Sequence, residues 1–206
     1  MKNLIRKVLY EQVVSNEIKT GFVKFYQLFK EKYGKTKDFN LIFNELISDI
    51  NKSPTPKISI TNSRQVCGAS LTNNVIISSD MFDLLLYKFI YVLFHEIAHQ
   101  YQYKKYGKSL IFDLNKNGFN EGVLDRIIEI EKVADRFGRS MSKKYSEKFK
   151  IPNYTIFSPY DGAAYTGRAA YRIMLQEIAD DIKSGKITCI EQMEDETFRY
   201  FNDLQS

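Results

Sequence analysis

The chain has 206 residues, 44% of them hydrophobic, a formal net charge of +5, two histidines and two cysteines. Cys67 and Cys189 lie far apart without CxxC spacing, which excludes a disulfide-dense scaffold and leaves free thiols in a reducing compartment as the expectation. No stretch approaches 18 uncharged apolar residues, since even the run 81–94 carries Asp83 and Lys88, so a membrane-spanning helix is not expected.

In chain order, residues 1–11 read as an amphipathic helix with no extended apolar core or small-residue cleavage site, unlike a signal peptide. Phe22, Val23, Phe25, Tyr26 and Phe29, then Phe39, Leu41, Ile42, Leu46 and Ile47, recur at helical spacing. Two or three helices are therefore expected within 1–52, broken at Gly34 and at Ser53-Pro54. Segments 57–61, 65–68 and 74–78 read as three short strands, with turns at Asn62-Ser63 and Thr72-Asn73-Asn74. A long, strongly apolar helix is expected over 80–105, with an N-cap in the Ser78-Ser79-Asp80 cluster and a stop at Gly107. Val123, Leu124, Ile127, Ile128, Ile130, Val133, Ala134 and Phe137 predict a second long helix from about 121 to about 145. A proline-bounded linker at 151–159 then leads to two closing helices, 161–184 and 188–203. The expected fold class is α+β, with a small mixed or antiparallel sheet of about three strands packed on the apolar helix and further helices at both ends. One domain, 1–206, should hold N-terminal helices (1–52), a central core (55–145) and C-terminal helices (160–204).

Both histidines fall in one five-residue stretch, His95-Glu96-Ile97-Ala98-His99. This is the HExxH pattern, in which two imidazoles bind zinc and the intervening glutamate acts as general base. At about 3.6 residues per turn, His95 and His99 share one helical face and can reach a single ion. Glu96, turned roughly 100° away, stays off the metal but near the water that a metal would activate. Ordinary core histidines would leave Glu96 and the spacing unexplained.

A catalytic zinc usually has three protein ligands. No third histidine exists, and Lys105 stands six residues after His99, where one large group of zinc proteases places its third. The remaining ligand must be an acid or a cysteine. Glu131 and Asp135 are four apart and share a face of the second long helix. Glu129 and Asp125 compete from that helix, and Asp113 from the loop before it. Glu129 lies about 200° around the helix from Glu131, so both cannot face one ion.

Here the chain resembles the gluzincin-type metallopeptidases, in which one helix carries HExxH and a second supplies a Glu ligand followed four residues later by an Asp. The resemblance covers roughly 55–140 and rests on His95-Glu96-Ile97-Ala98-His99 and Glu131-Lys132-Val133-Ala134-Asp135. It implies that Glu131 is the third zinc ligand and that Asp135 accepts a hydrogen bond from a ligand imidazole, His95 for preference, which would fix its tautomer. Strands followed at once by an HExxH helix are similar to the minimal zincin layout. Small phage- and bacterium-associated peptidases of the ImmA/IrrE kind share it, with a Glu-x-x-Ala-x-x-Phe look matched here by Glu131, Ala134 and Phe137. SprT-like proteases share the strand-then-helix order but use a third histidine. In such proteins an edge strand of the sheet often binds extended substrate backbone.

The implied activity is zinc-dependent hydrolysis of peptide bonds in a protein or peptide substrate, with one Zn2+ per chain and Glu96 as general base. Tyr160, Tyr165 and Arg168 are candidate donors to the oxyanion. A two-His, one-carboxylate set also serves non-haem iron oxygenases, but HExxH with its intervening Glu favours zinc. The expected location is cytoplasmic or phage-associated. Two other readings stay open: a zincin-fold binding or structural module without protease activity, and a nucleic-acid-associated protease. The lysines are spread in small groups (Lys30, Lys32, Lys35 and Lys37; Lys104, Lys105 and Lys108; Lys143, Lys144, Lys148 and Lys150) without a nucleic-acid motif, which allows the latter without requiring it.

Overall fold

The computed structural model describes residues 16–54, 58–61, 68–71, 74–106, 118–153 and 165–186. Expectations that fall on 1–11, the turns at 62–63 and 72–73, Gly107, the linker from 154 to 159 and 188–203 lie outside the described residues. The architecture is mixed helix and strand, mostly helical.

Two helices open the described chain, α1 (Asn16–Tyr33) and α2 (Phe39–Lys52). The turn between them begins at Gly34, whose N–H bonds to the Lys30 carbonyl, and closes at Asp38 in the left-handed region (φ 62°). The apolar faces anticipated from spacing are the buried ones: Phe25 and Phe29 on α1, Ile42, Leu46 and Ile47 on α2. Val23 and Leu41, counted with them, are exposed.

A three-stranded sheet follows, β1 (Ile58–Thr61), β2 (Gly68–Leu71) and β3 (Asn74–Ser78), in the order β1-β3-β2. Central β3 runs parallel to β1, with Ile58 opposite Val75, and antiparallel to β2, with Leu71 opposite Asn74. Its Val75 and Ile77 alternate inward and are fully buried, as a two-residue period requires. The middle strand is described over 68–71, where its partners on β3 set the register; 65–67 of the expected strand 65–68 lie outside the described residues.

The apolar run from residue 80 is not one helix. Ser79–Asp83 forms a 3-10 turn, in which Ser78 Oγ accepts a hydrogen bond from the Asp80 N–H, and helix α3 starts at Leu86 and ends at Tyr106. Leu84, extended at ψ 157°, breaks the run. Tyr33 Oη on α1 donates to the Leu84 carbonyl at 2.8 Å. The turn swings Phe82 beneath α1, where its ring lies 5.6 Å from Phe25 and 4.9 Å from Phe89, while Phe29 also meets Phe89 at 5.5 Å. Such edge and tilted ring contacts add about 0.5–1.5 kcal/mol each beyond burial. The aromatic cluster therefore outweighs the extra turn of helix that the apolar pattern predicts.

Helix α4 (Glu121–Phe149) is longer than its apolar pattern suggests. Asn120 Oδ1 caps its start by accepting from the Val123 N–H at 3.0 Å, and Lys150 ends it in the left-handed region. Glu45 and Asp49 of α2 meet Lys144, Lys148 and the Tyr145 hydroxyl, pinning the C-terminal half of α4 to the N-terminal helices. The last described helix, α5 (Tyr165–Lys183), stops before Gly185, which takes φ 78°. Among the described residues no helix is long and apolar enough to cross a membrane.

Helices α3 and α4 run antiparallel in close contact, and α4 presents Ala134, Gly138 and Ser142 at four-residue spacing to that contact, all buried. Ser142 Oγ donates to the Tyr87 carbonyl at 3.0 Å. A Cβ built on Gly138 would stand 2.6 Å from the Tyr91 carbonyl oxygen and 3.2 Å from the His95 nitrogen, both backbone atoms that cannot rotate away. Replacing glycine by alanine inside a helix ordinarily gains about 1 kcal/mol, whereas overpacking a closed contact costs about 1–3 kcal/mol. Gly138→Ala is therefore expected to lower unfolding stability by a net of about 1 kcal/mol in urea denaturation. An unchanged or raised midpoint would show that the helices are not held at this spacing.

Candidate metal centre

Helix α3 buries Phe89, Ile90, Leu93, Phe94, Ile97 and Ala98, and the same turns carry His95, Glu96 and His99. Glu131 projects from the facing turn of α4. His95 Nε2 lies 3.2 Å and His99 Nε2 3.5 Å from Glu131 Oε2, and the two Nε2 atoms are 3.3 Å apart. These three side chains form a group that can hold one metal ion. Two imidazole nitrogens and a carboxylate oxygen, converging within hydrogen-bond distance of one another, are a donor set that divalent first-row metals accept.

The other acids weighed as the third ligand lie elsewhere. Glu129 is exposed and pairs with Lys132 at 2.8 Å. Asp125 is exposed and pairs with Arg168 at 2.5 Å. Asp113 lies outside the described residues. Of the three candidate oxyanion donors, Arg168 commits its guanidinium to Asp125 and to Glu121, the latter at 2.8 Å, fastening α5 to the start of α4. Tyr165 opens α5, its side chain outside the described set, and Tyr160 lies wholly outside it.

Asp135, one turn beyond Glu131 and almost fully buried, is a hub. The Tyr91 hydroxyl donates to its Oδ1, and Arg139 Nη2 pairs with its Oδ2 at 2.5 Å. His95 Nδ1 is 3.7 Å from Oδ1, near enough for electrostatic attraction but beyond a hydrogen bond, and it makes none among the described residues. The other imidazole of the group is held more firmly. His99 Nδ1 is 2.8 Å from Gln102 Oε1, and Gln102 Nε2 donates to the Ile130 carbonyl at 3.0 Å.

Sequence reasoning passed over Tyr91, Arg139 and Gln102. A signal existed for each: Tyr91 precedes His95 by four, Arg139 follows Asp135 by four, and Gln102 follows His99 by three, all same-face spacings.

Burial works against every charge here, and the outcome depends on the partners. For His95, burial disfavours the imidazolium, but the Asp135 and Glu131 carboxylates outweigh it and push the pKa up to about 10. His99 also rises, because Glu131 outweighs its burial. Glu131 is held well below the usual carboxylate range, the two imidazoles overcoming its own desolvation. Glu96 moves the other way: burial raises its pKa, and the imidazoles only partly offset that.

Compared with known protein families, with curated proteins and with solved structures, the chain matches none.

An imidazole must be neutral to ligate a metal, so an ion entering this cluster has to displace protons. With His95 near 10, uptake of a divalent cation at pH 7 should release about one proton or more. Affinity should rise with pH from 6 to 8 and weaken on acidification. Calorimetric titration in buffers of different ionisation enthalpy measures that release directly. Uptake with no proton released would contradict this account of the cluster.

Proposed function

We propose that the chain is a zinc-dependent metallopeptidase of the gluzincin type, built on a minimal zincin-like fold of the sheet, α3 and α4, and acting on a protein or peptide substrate. The observation that carries the reading is the triangle of donor atoms, with edges of 3.2, 3.3 and 3.5 Å. Zinc bonds to imidazole nitrogen and carboxylate oxygen are about 2.0–2.2 Å, and at tetrahedral angles such ligands stand about 3.3–3.5 Å apart. The three side chains therefore suit three corners of a tetrahedron and leave the fourth for water or substrate, as in catalytic zinc sites.

His95, His99 and Glu131 would hold the ion, and Lewis acidity supplied by bound zinc would acidify water and polarise the scissile carbonyl. The rest of the chemistry falls to the chain itself. Glu96, next to a ligand and turned off the metal-facing side, is buried with a raised pKa, which suits a group that must both take up and give back a proton near neutrality. Its carboxylate oxygens accept a proton from water and return it to the leaving amine. Arg168 is tied to Glu121 and Asp125, so stabilisation of the oxyanion by this residue would require breaking two ion pairs. Tyr160 and Tyr165 remain the proposed donors.

Metal analysis of the purified protein should find about one zinc per chain, lost in both His95→Ala and Glu131→Ala. Zinc absent from the wild type after reconstitution at neutral pH would defeat the proposal. Glu96→Gln should retain zinc while losing about 10²–10⁴-fold in kcat/KM on a mixture of unstructured peptides. Full activity in that variant would remove Glu96 from its role as base.

A further inference from the structure

We infer that Gln102 is the positioning residue that gives His99 its metal-binding tautomer and joins that ligand to the helix turn carrying Glu131. The inference rests on the reading of His95, His99 and Glu131 as a metal site and goes beyond it to how the site is assembled.

The argument follows from which atoms can donate. The Ile130 oxygen is a backbone carbonyl and can only accept, so the Gln102 atom 3.0 Å from it must be the amide nitrogen. That choice turns Gln102 Oε1, which also can only accept, toward His99 Nδ1 at 2.8 Å. His99 Nδ1 must then carry a proton. A neutral imidazole has one N–H, so its lone pair is left on Nε2, the atom facing Glu131 Oε2 and His95 Nε2. A carbonyl on one helix thus sets the tautomer of an imidazole on the other, through a single amide.

Two further features give the amide its leverage. Gln102 and His99 are 7% and 6% exposed, so bulk water does not stand ready to replace either hydrogen bond. Ile130 directly precedes Glu131, so the tie acts within one residue of the carboxylate ligand. The contrast with His95, whose Nδ1 makes no hydrogen bond among the described residues, makes His99 the imidazole with the more firmly set orientation. Losing a partner that orients a metal-bound histidine typically weakens metal binding about 10–100-fold.

The test pairs two substitutions with a spectroscopic signature. Gln102→Leu keeps the approximate bulk and removes both hydrogen bonds. Gln102→Glu keeps an acceptor for His99 Nδ1–H but, ionised, has no donor for the Ile130 carbonyl. Zinc affinity is measured by competition with a chelating dye, folding by circular dichroism and thermal melting, and the His99 ring N–H by proton–nitrogen NMR. The wild type should show an exchange-protected His99 Nδ1–H. Gln102→Leu should lose that signal and about 10–100-fold in zinc affinity. Gln102→Glu should melt at a lower temperature than the wild type yet keep the signal and bind zinc at least several-fold more tightly than Gln102→Leu. A purely structural role predicts instead that affinity falls with melting temperature in both variants, and that result overturns the inference. So does an unprotected Nδ1–H in the wild type, which needs no variant, or wild-type affinity in a folded Gln102→Leu. Either leaves the peptidase proposal standing. A wild type that takes up no zinc overturns both.

Discussion

The close antiparallel contact of α3 and α4 is the constraint on which the rest of the molecule depends. It can be followed as a ladder: Tyr87 with Ser142, Tyr91 and His95 with Gly138, His95 with Asp135, His99 with Glu131, and Gln102 with Ile130. From Ser142 to Glu131 each step on α4 is three or four residues, about one turn, as α3 is climbed from Tyr87 to His99, and the last rung moves three residues on α3 but only one on α4. Small residues make that proximity attainable, since helix axes normally stand 8–10 Å apart according to the side chains at the contact. Glu131 lies seven residues, about two turns or 10 Å, from Gly138 along α4. A change of spacing at the glycine is therefore passed along rigid helices to the point where carboxylate and imidazoles meet.

What the contact brings together is electrostatically expensive. Glu96, His99, Glu131 and Asp135 are all buried, His95 is nearly so, and burying an unpaired charge costs several kcal/mol. The groups answer one another: Glu131 faces both imidazoles, and Asp135 is satisfied by Tyr91 and Arg139. That pairing raises the histidine pKa values and lowers that of Glu131, so the cluster is organised around a positive charge at its centre. A proton can supply that charge, and a divalent cation supplies more of it. The competition between them is the physical link between the packing of the helices and the proposed chemistry.

The remaining elements brace this pair. The rings of Phe25, Phe29, Phe82 and Phe89 join α1 to the beginning of α3. The Glu45, Asp49, Lys144 and Lys148 cluster joins α2 to the end of α4. At the other end of α4, Arg168 and Arg172 hold α5 against Glu121. The helix carrying Glu131 is thus tied down on both sides of that carboxylate, and a group of three converging atoms needs that support, because errors of even an ångström degrade it.

By itself the sequence determined what depends on near neighbours. His95 and His99 share a face because α-helical geometry puts i and i+4 there, and an apolar stretch around them is enough to make the helix. The ends of α1 and α2, at Gly34 and Ser53, were legible because glycine and proline act locally on the backbone. Tertiary structure decided whatever depended on a distant partner. The apolar run after Ser78 carries no mark of the break at Leu84, which comes from rings of α1 packing on Phe82 and Phe89 and from the Tyr33 hydroxyl. The register of β2 belongs to β3. Sequence spacing narrowed the acids of α4 to a few, but only packing on α3 turned Glu131 inward while Glu129 and Asp125 stayed on the surface. Gln102 shows the division most clearly: its spacing from His99 is local, whereas the carbonyl that orients its amide lies on another helix, 28 residues further along the chain.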